Sequence, residues 1–113
     1  MSTMNMYVHD SNAIKVLHVQ GDLNANTAGE VDSRLHQLIM GGNKKLIVNL
    51  DQLNYISSAG LRVFLSANKL MKKQEGNLRI CSLNNTVKEV FDISGFHLIF
   101  DIFDNEEEAL NGY

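Results

Sequence analysis

The chain has 113 residues, 44% hydrophobic and 20% charged, a balance expected of one globular domain, residues 1–113, that buries its core without staples. Its net charge of −3 argues against nucleic acid as a direct partner, because phosphate backbones are met by basic faces. The one cysteine, Cys81, excludes an intramolecular disulfide. With no membrane-length apolar run and no signal-peptide pattern, no membrane insertion is expected and the cytoplasm is the expected compartment.

Met4 to His9 reads as a first strand, and Asp10-Ser11-Asn12 as a polar turn into a second, Ala13 to Gln20. So short a turn predicts an antiparallel hairpin. Ile14 and Val16 share one face of the second strand, with Leu17 and Val19 distributed across both. Gly21 to Ala25 reads as a loop. Asn26 or Thr27 can cap a helix to about Met40, with Glu30 near its positive end. Its core stripe is Ala28, Val31, Leu35 and Leu38 or Ile39, and Gly41-Gly42 ends it.

The strand from Lys45 to Leu50 carries Leu46-Ile47-Val48-Asn49-Leu50, nearly continuous in its apolarity, as expected of a strand buried in a parallel sheet. Asp51 to Ile56 reads as a loop. A central helix from about Ser58 to Gln74 places Leu61, Phe64, Leu65, Asn68 and Met71 at helical spacing. Lys72 and Lys73 complement its dipole and Gly76 closes it. Asn77 to Ser82 is the next strand, with Cys81 as a small buried hydrophobe. Asn84 or Asn85 caps a short helix with Val87, Val90 and Phe91 inward. Leu98 to Phe103 is the last strand. Asp104 to Leu110 is a terminal helix, and Glu106-Glu107-Glu108 reads as its solvated first turn.

This order predicts an α/β fold: a mostly parallel five-stranded sheet with an N-terminal antiparallel hairpin strand, and four helices. Loops after strand C-termini carry function in such sheets. Gly21 to Ala25 and Asp51 to Ser57 are two of them, expected at one edge, with Asn24 near Ser58. Ser57 and Ser58 stand where an apolar strand gives way to an apolar helix. Unpaired N–H groups and the helix dipole there favour a hydroxyl cap or an added phosphate. The pair is consistent with a simple cap or with a phosphorylatable switch.

Enzymatic chemistry is not expected. The serines lack a Gly-x-Ser-x-Gly elbow, and none of His9, His18, His36 and His97 is in a loop expected to meet Ser58. The histidines do not form His-x-x-x-His spacings, so no metal is expected. Gly41-Gly42 lacks the Gly-Lys-Ser/Thr of a phosphate loop, so no nucleotide cofactor is expected either.

Five stretches in order carry a family likeness: Val19-Gln20-Gly21-Asp22-Leu23-Asn24; Leu46 to Leu50; Tyr55-Ile56-Ser57-Ser58-Ala59-Gly60-Leu61; Leu78-Arg79-Ile80-Cys81; and Val90-Phe91-Asp92-Ile93-Ser94-Gly95-Phe96. From about Val16 to Leu110 the chain resembles the STAS-domain anti-sigma factor antagonists. The resemblance implies that an unphosphorylated form binds an anti-sigma serine kinase and frees a sigma factor. It implies that serine phosphorylation switches this off and that a serine phosphatase reverses it. In the family the acceptor lies two residues before the glycine at the helix start, which is Ser58 here, with Ser57 as the rival. Ser57 and Asn24 stand where the family often has Asp. A non-switching STAS adaptor in a signalling or lipid-transport assembly is the alternative. The expected docking surface is Asn24, Ser57, Ser58, Ala59 and Arg62, on the two converging loops and the first exposed turn of the central helix.

Overall fold

The computed structural model describes residues 4–113. Strands β1 (Asn5–Ser11) and β2 (Ile14–Leu23) form the hairpin, in antiparallel register from Asn5↔Gln20 to Ser11↔Ile14. The turn is Asn12-Ala13, both at positive φ (50° and 68°), the left-handed pair whose twist matches paired strands. The remaining elements are α1 (Ala28–Met40), β3 (Lys45–Asn49), β4 (Leu53–Ile56), α2 (Ser58–Lys73), β5 (Asn77–Cys81), α3 (Asn85–Ile93), β6 (Asp101–Phe103) and α4 (Glu106–Leu110). The sheet order is β1-β2-β3-β5-β6, parallel after the hairpin, with β4 pairing β2 off that path. The mixed α/β fold with four α-helices is thus the one expected.

Among the described residues the sheet has six strands rather than five, because Asp51 to Ile56 is not all loop. Leu53 and Ile56 are buried and Asn54 and Tyr55 exposed, and the stretch pairs in parallel with the end of β2 through one register shift, forming β4. That pairing also carries β2 past Gln20. The strand bends at Gly21, where φ is 111° and the register with β4 shifts, and runs on to Leu23. Such a conformation favours glycine. Leu98 to Phe103 is not one strand. Gly95 at φ 74° turns the chain into a 3-10 turn over Phe96–Leu98, leaving Leu98 82% exposed and only Asp101–Phe103 paired. Leu17 and Val19 do not divide between faces; both join the larger core.

That core lies on the face covered by α1, α2 and α3. Val31, Leu35 and Ile39 from α1 meet Leu61, Phe64, Ala67 and Met71 from α2 over Leu17, Val19, Leu46 and Val48. Phe91 extends it towards Phe64, Phe96 and Phe100, at ring-centroid distances of 6.1–6.5 Å. The other face holds a smaller cluster, Ile14, Val16, Ile47, Cys81 and Ala109, covered by α4 with Phe103, Leu110 and Tyr113. Among the described residues no helix is long and apolar enough to cross a membrane.

Candidate functional site

The ends of β2 and β4 set the geometry of the serine pair. Leu23 pairs with Ile56, and the Ser57 N–H donates to the Leu23 carbonyl at 2.9 Å. Asn24 therefore stands beside Ser57 and Ser58. Buried Gly60 keeps α2 close to these strands: an added Cβ would lie 2.7 Å from Leu23 Cγ and 2.8 Å from Ile56 Cγ1, too near for ordinary contact.

The two serines differ. Ser57 has extended backbone and is the N-cap of α2. Its Oγ accepts from the Gly60 N–H at 3.3 Å and its carbonyl from the Leu61 N–H at 3.0 Å. Ser57 is half-buried and its hydroxyl is engaged in capping. Ser58 is the first helical residue and is exposed; among the described residues no hydrogen bond engages its hydroxyl. Its hydroxyl is therefore presented at the surface. It sits at the N-terminus of a 16-residue helix, where the dipole favours negative charge.

Asn24 is half-buried and organises its own loop. Its Oδ1 accepts from the Asn26 N–H at 2.9 Å, and its N–H donates to Thr27 Oγ1 at 3.0 Å. Thr27, not Asn26, precedes the first residue of α1, but it does not cap with its side chain; that hydroxyl donates to the Asp22 carbonyl at 2.8 Å. Ala59 is half-buried and Arg62 exposed. Arg62 follows Ser58 by four residues, so the two share one stripe of the helix surface. The structure thus gathers all five expected residues at one sheet end. It adds Tyr55, 47% exposed on β4 and paired with Asp22. Sequence reading missed Tyr55 because it took the segment for loop, and four residues carry too little alternation to separate the two.

The fold is a mixed α/β domain with an exposed serine at the start of its central helix. The family model for the STAS domain matches residues 3–109. BtrV of Bordetella bronchiseptica, whose name is that of a candidate anti-sigma factor antagonist, is 38% identical over 91 residues, 80% of this chain and 78% of BtrV. The anti-sigma-B factor antagonist of Bacillus subtilis is 33% identical over 97 residues, 79% of this chain and 88% of that one. Among solved structures, the Bacillus cell fate determinant SpoIIAA in its phosphorylated form aligns with a TM-score of 0.73 at 20% identity, over 95% of this chain and 97% of the other. The chain belongs to the STAS-domain family of anti-sigma factor antagonists.

Proposed function

We propose that this protein is an anti-sigma factor antagonist switched at Ser58. Unphosphorylated, it binds an anti-sigma serine kinase through the surface of Asn24, Ser57, Ser58, Ala59 and Arg62, and so frees a sigma factor. The kinase supplies the phosphate, and a serine phosphatase removes it. The observation that carries this reading is the division of labour between the serines: Ser57 is engaged as the cap and Ser58 is exposed with its hydroxyl uncommitted. The names of the relatives support the partner class. The SpoIIAA structure is that of a phosphorylated protein with this fold.

Phosphate on Ser58 adds roughly −1.5 to −2 charge at neutral pH. At a helix N-terminus that charge is tolerated, so the fold persists. Binding fails locally, because a surface fitted to a hydroxyl would have to bury an unpaired, strongly solvated dianion. The test incubates wild type, Ser57→Ala and Ser58→Ala with the cognate kinase and ATP, then measures incorporation and complex formation. Incorporation should be lost in Ser58→Ala and kept in Ser57→Ala, with Ser58→Ala binding constitutively. Ser57→Ala should also lose about 0.5–2 kcal/mol of stability from the missing cap. Incorporation surviving in Ser58→Ala but lost in folded Ser57→Ala would move the switch to Ser57. No incorporation in wild type with an active kinase would favour a non-switching adaptor.

A further inference from the structure

On the α4 face, the fold assembles a group that spacing along the chain does not announce. His18 lies opposite Tyr7 in the hairpin register, and His9 is two residues beyond Tyr7, so all three share one face. The Tyr7 and His18 rings stack at 4.3 Å. Across the next ladder His18 pairs with Asn49. From above, the first turn of α4 brings in Glu106, which is half-buried rather than solvated as its run of acids suggests.

Three donor residues converge there. His18 Nε2 is 3.1 Å from His9 Nδ1 and 3.4 Å from Glu106 Oε1. His9 Nε2 is 3.2 Å from Glu106 Oε2. One ligand atom from each residue lies within 4.8 Å of the other two. Ligands around a tetrahedral zinc ion, at bonds of about 2.0–2.1 Å, stand roughly 3.3 Å from one another. The two His18 distances already fall near that separation. Asn49 Nδ2 donates to Glu106 Oε1 at 3.0 Å and orients the carboxylate.

A purely hydrogen-bonded relay leaves a defect. If His18 Nε2–H donates to His9 Nδ1, and His9 Nε2–H to Glu106, then His18 Nδ1 carries only a lone pair. That atom is buried and without a hydrogen-bond partner; the Asp51 carboxylate lies 3.9 Å away, beyond hydrogen-bond reach. His18 itself is only 8% exposed. Unsatisfied buried polar atoms of this kind are uncommon and costly. A cation bound at Nε2 would put the ring proton on Nδ1, where it faces the Asp51 carboxylate across 3.9 Å, the side from which a carboxylate orients a metal-bound imidazole. Burial lowers the His18 pKa from its ordinary 6.5; Glu106 opposes this, His9 adds to it and Asp51 opposes it.

We propose that His9, His18 and Glu106 form a binding site for one divalent transition-metal ion of the zinc class, with Asp51 and Asn49 as positioning residues. Two imidazoles and a carboxylate suit zinc, cobalt or nickel rather than magnesium or calcium, which take oxygen ligands. Three protein ligands leave a coordination position open to water or an added ligand. The bound ion would tie β1 and β2 to α4, joining the first elements of the fold to the last.

The experiment titrates the metal-free full chain with Zn2+ by calorimetry and with Co2+ by visible absorption, with circular dichroism to confirm that each variant is folded. Wild type should bind one ion per chain and show the absorption of a low-coordinate cobalt site. His9→Gln and Glu106→Gln, both at half-exposed positions, should each weaken binding by at least about a hundredfold, and Asp51→Asn by about 10–100-fold. His97→Gln, outside the group, should leave affinity unchanged. Zn2+ should raise the thermal midpoint of wild type and of His97→Gln but not of Glu106→Gln. Absence of stoichiometric binding by wild type overturns the proposal. So does binding that survives both His9→Gln and Glu106→Gln in folded protein.

Discussion

The two faces of the sheet are held by different means. On the face of α1, α2 and α3, long apolar side chains at helical spacing bury one continuous core around Phe64 and Phe91. On the other, five-residue α4 contributes one fully buried apolar residue, Ala109, and depends on polar fastenings. Arg79 Nη1 donates to the carbonyls of Ala109 at 2.9 Å and Asn111 at 3.1 Å, while its guanidinium lies 4.1 Å from the Tyr113 ring centre. The Tyr113 hydroxyl accepts from the Leu46 N–H at 3.1 Å and faces the Leu46 and Asn77 carbonyls. A helix that short is marginal alone. Its position is set by hydrogen bonds to charged and aromatic groups far away in sequence. The helix face should therefore set global stability, and the α4 face should open locally at lower cost.

The largest break in this comparison is Phe64→Ala. Phe64 is fully buried among Phe91 and the α2 stripe, so the change should cost about 3–5 kcal/mol in denaturant unfolding. A loss below about 1 kcal/mol would mean that the helix face does not carry the core. Arg79→Ala should cost less, about 1.5–3 kcal/mol, the range for hydrogen bonds to a charged group. The pattern matters more than the size. Native-state hydrogen exchange should lose protection over Glu106–Leu110 while the amides of α2 stay protected. Equal loss in α2 and α4 would show that the faces unfold together.

The same division explains what could be read in the sequence. Val31, Leu35 and Ile39 in α1, and Leu61, Phe64, Asn68 and Met71 in α2, announce their buried faces through local period, and all are buried. The convergence of Asn24 with the serine pair also follows from strand order, since both segments leave parallel strands at the same edge. β4 was hidden because four residues carry too little alternation to separate a strand from a loop. Leu98 and Ile99 misled for the opposite reason. They are apolar and adjacent, but the left-handed backbone at Gly95 places them outside, 82% and 44% exposed. The His9, His18 and Glu106 group was out of reach of any local pattern: His9 and Glu106 are 97 positions apart, and only the packing of α4 on the hairpin joins them. Contacts of that kind have no period to detect.

The smallest expected effect concerns a single thiol and sharpens the comparison most. Cys81 lies in the minor core under α4, fully buried. Burial raises its pKa from an ordinary value near 9.0 to about 11. Because the folded value lies above the unfolded one, this thiol leaves stability unchanged below pH 9.0. It works against folding as pH rises from there towards about 11. At pH 8 a thiol reagent can reach Cys81 only when the α4 face opens, so native labelling should be at least about a hundredfold slower than in denaturant. The rate then reports the cost of that opening. If the two faces are separate units, Arg79→Ala should accelerate labelling more than its loss of global stability accounts for. Phe64→Ala should accelerate it no more than global unfolding does. Labelling that tracks global stability alone in both variants would mean the sheet is held as one cooperative unit, and that the polar fastenings of α4 are as integral to it as the apolar core.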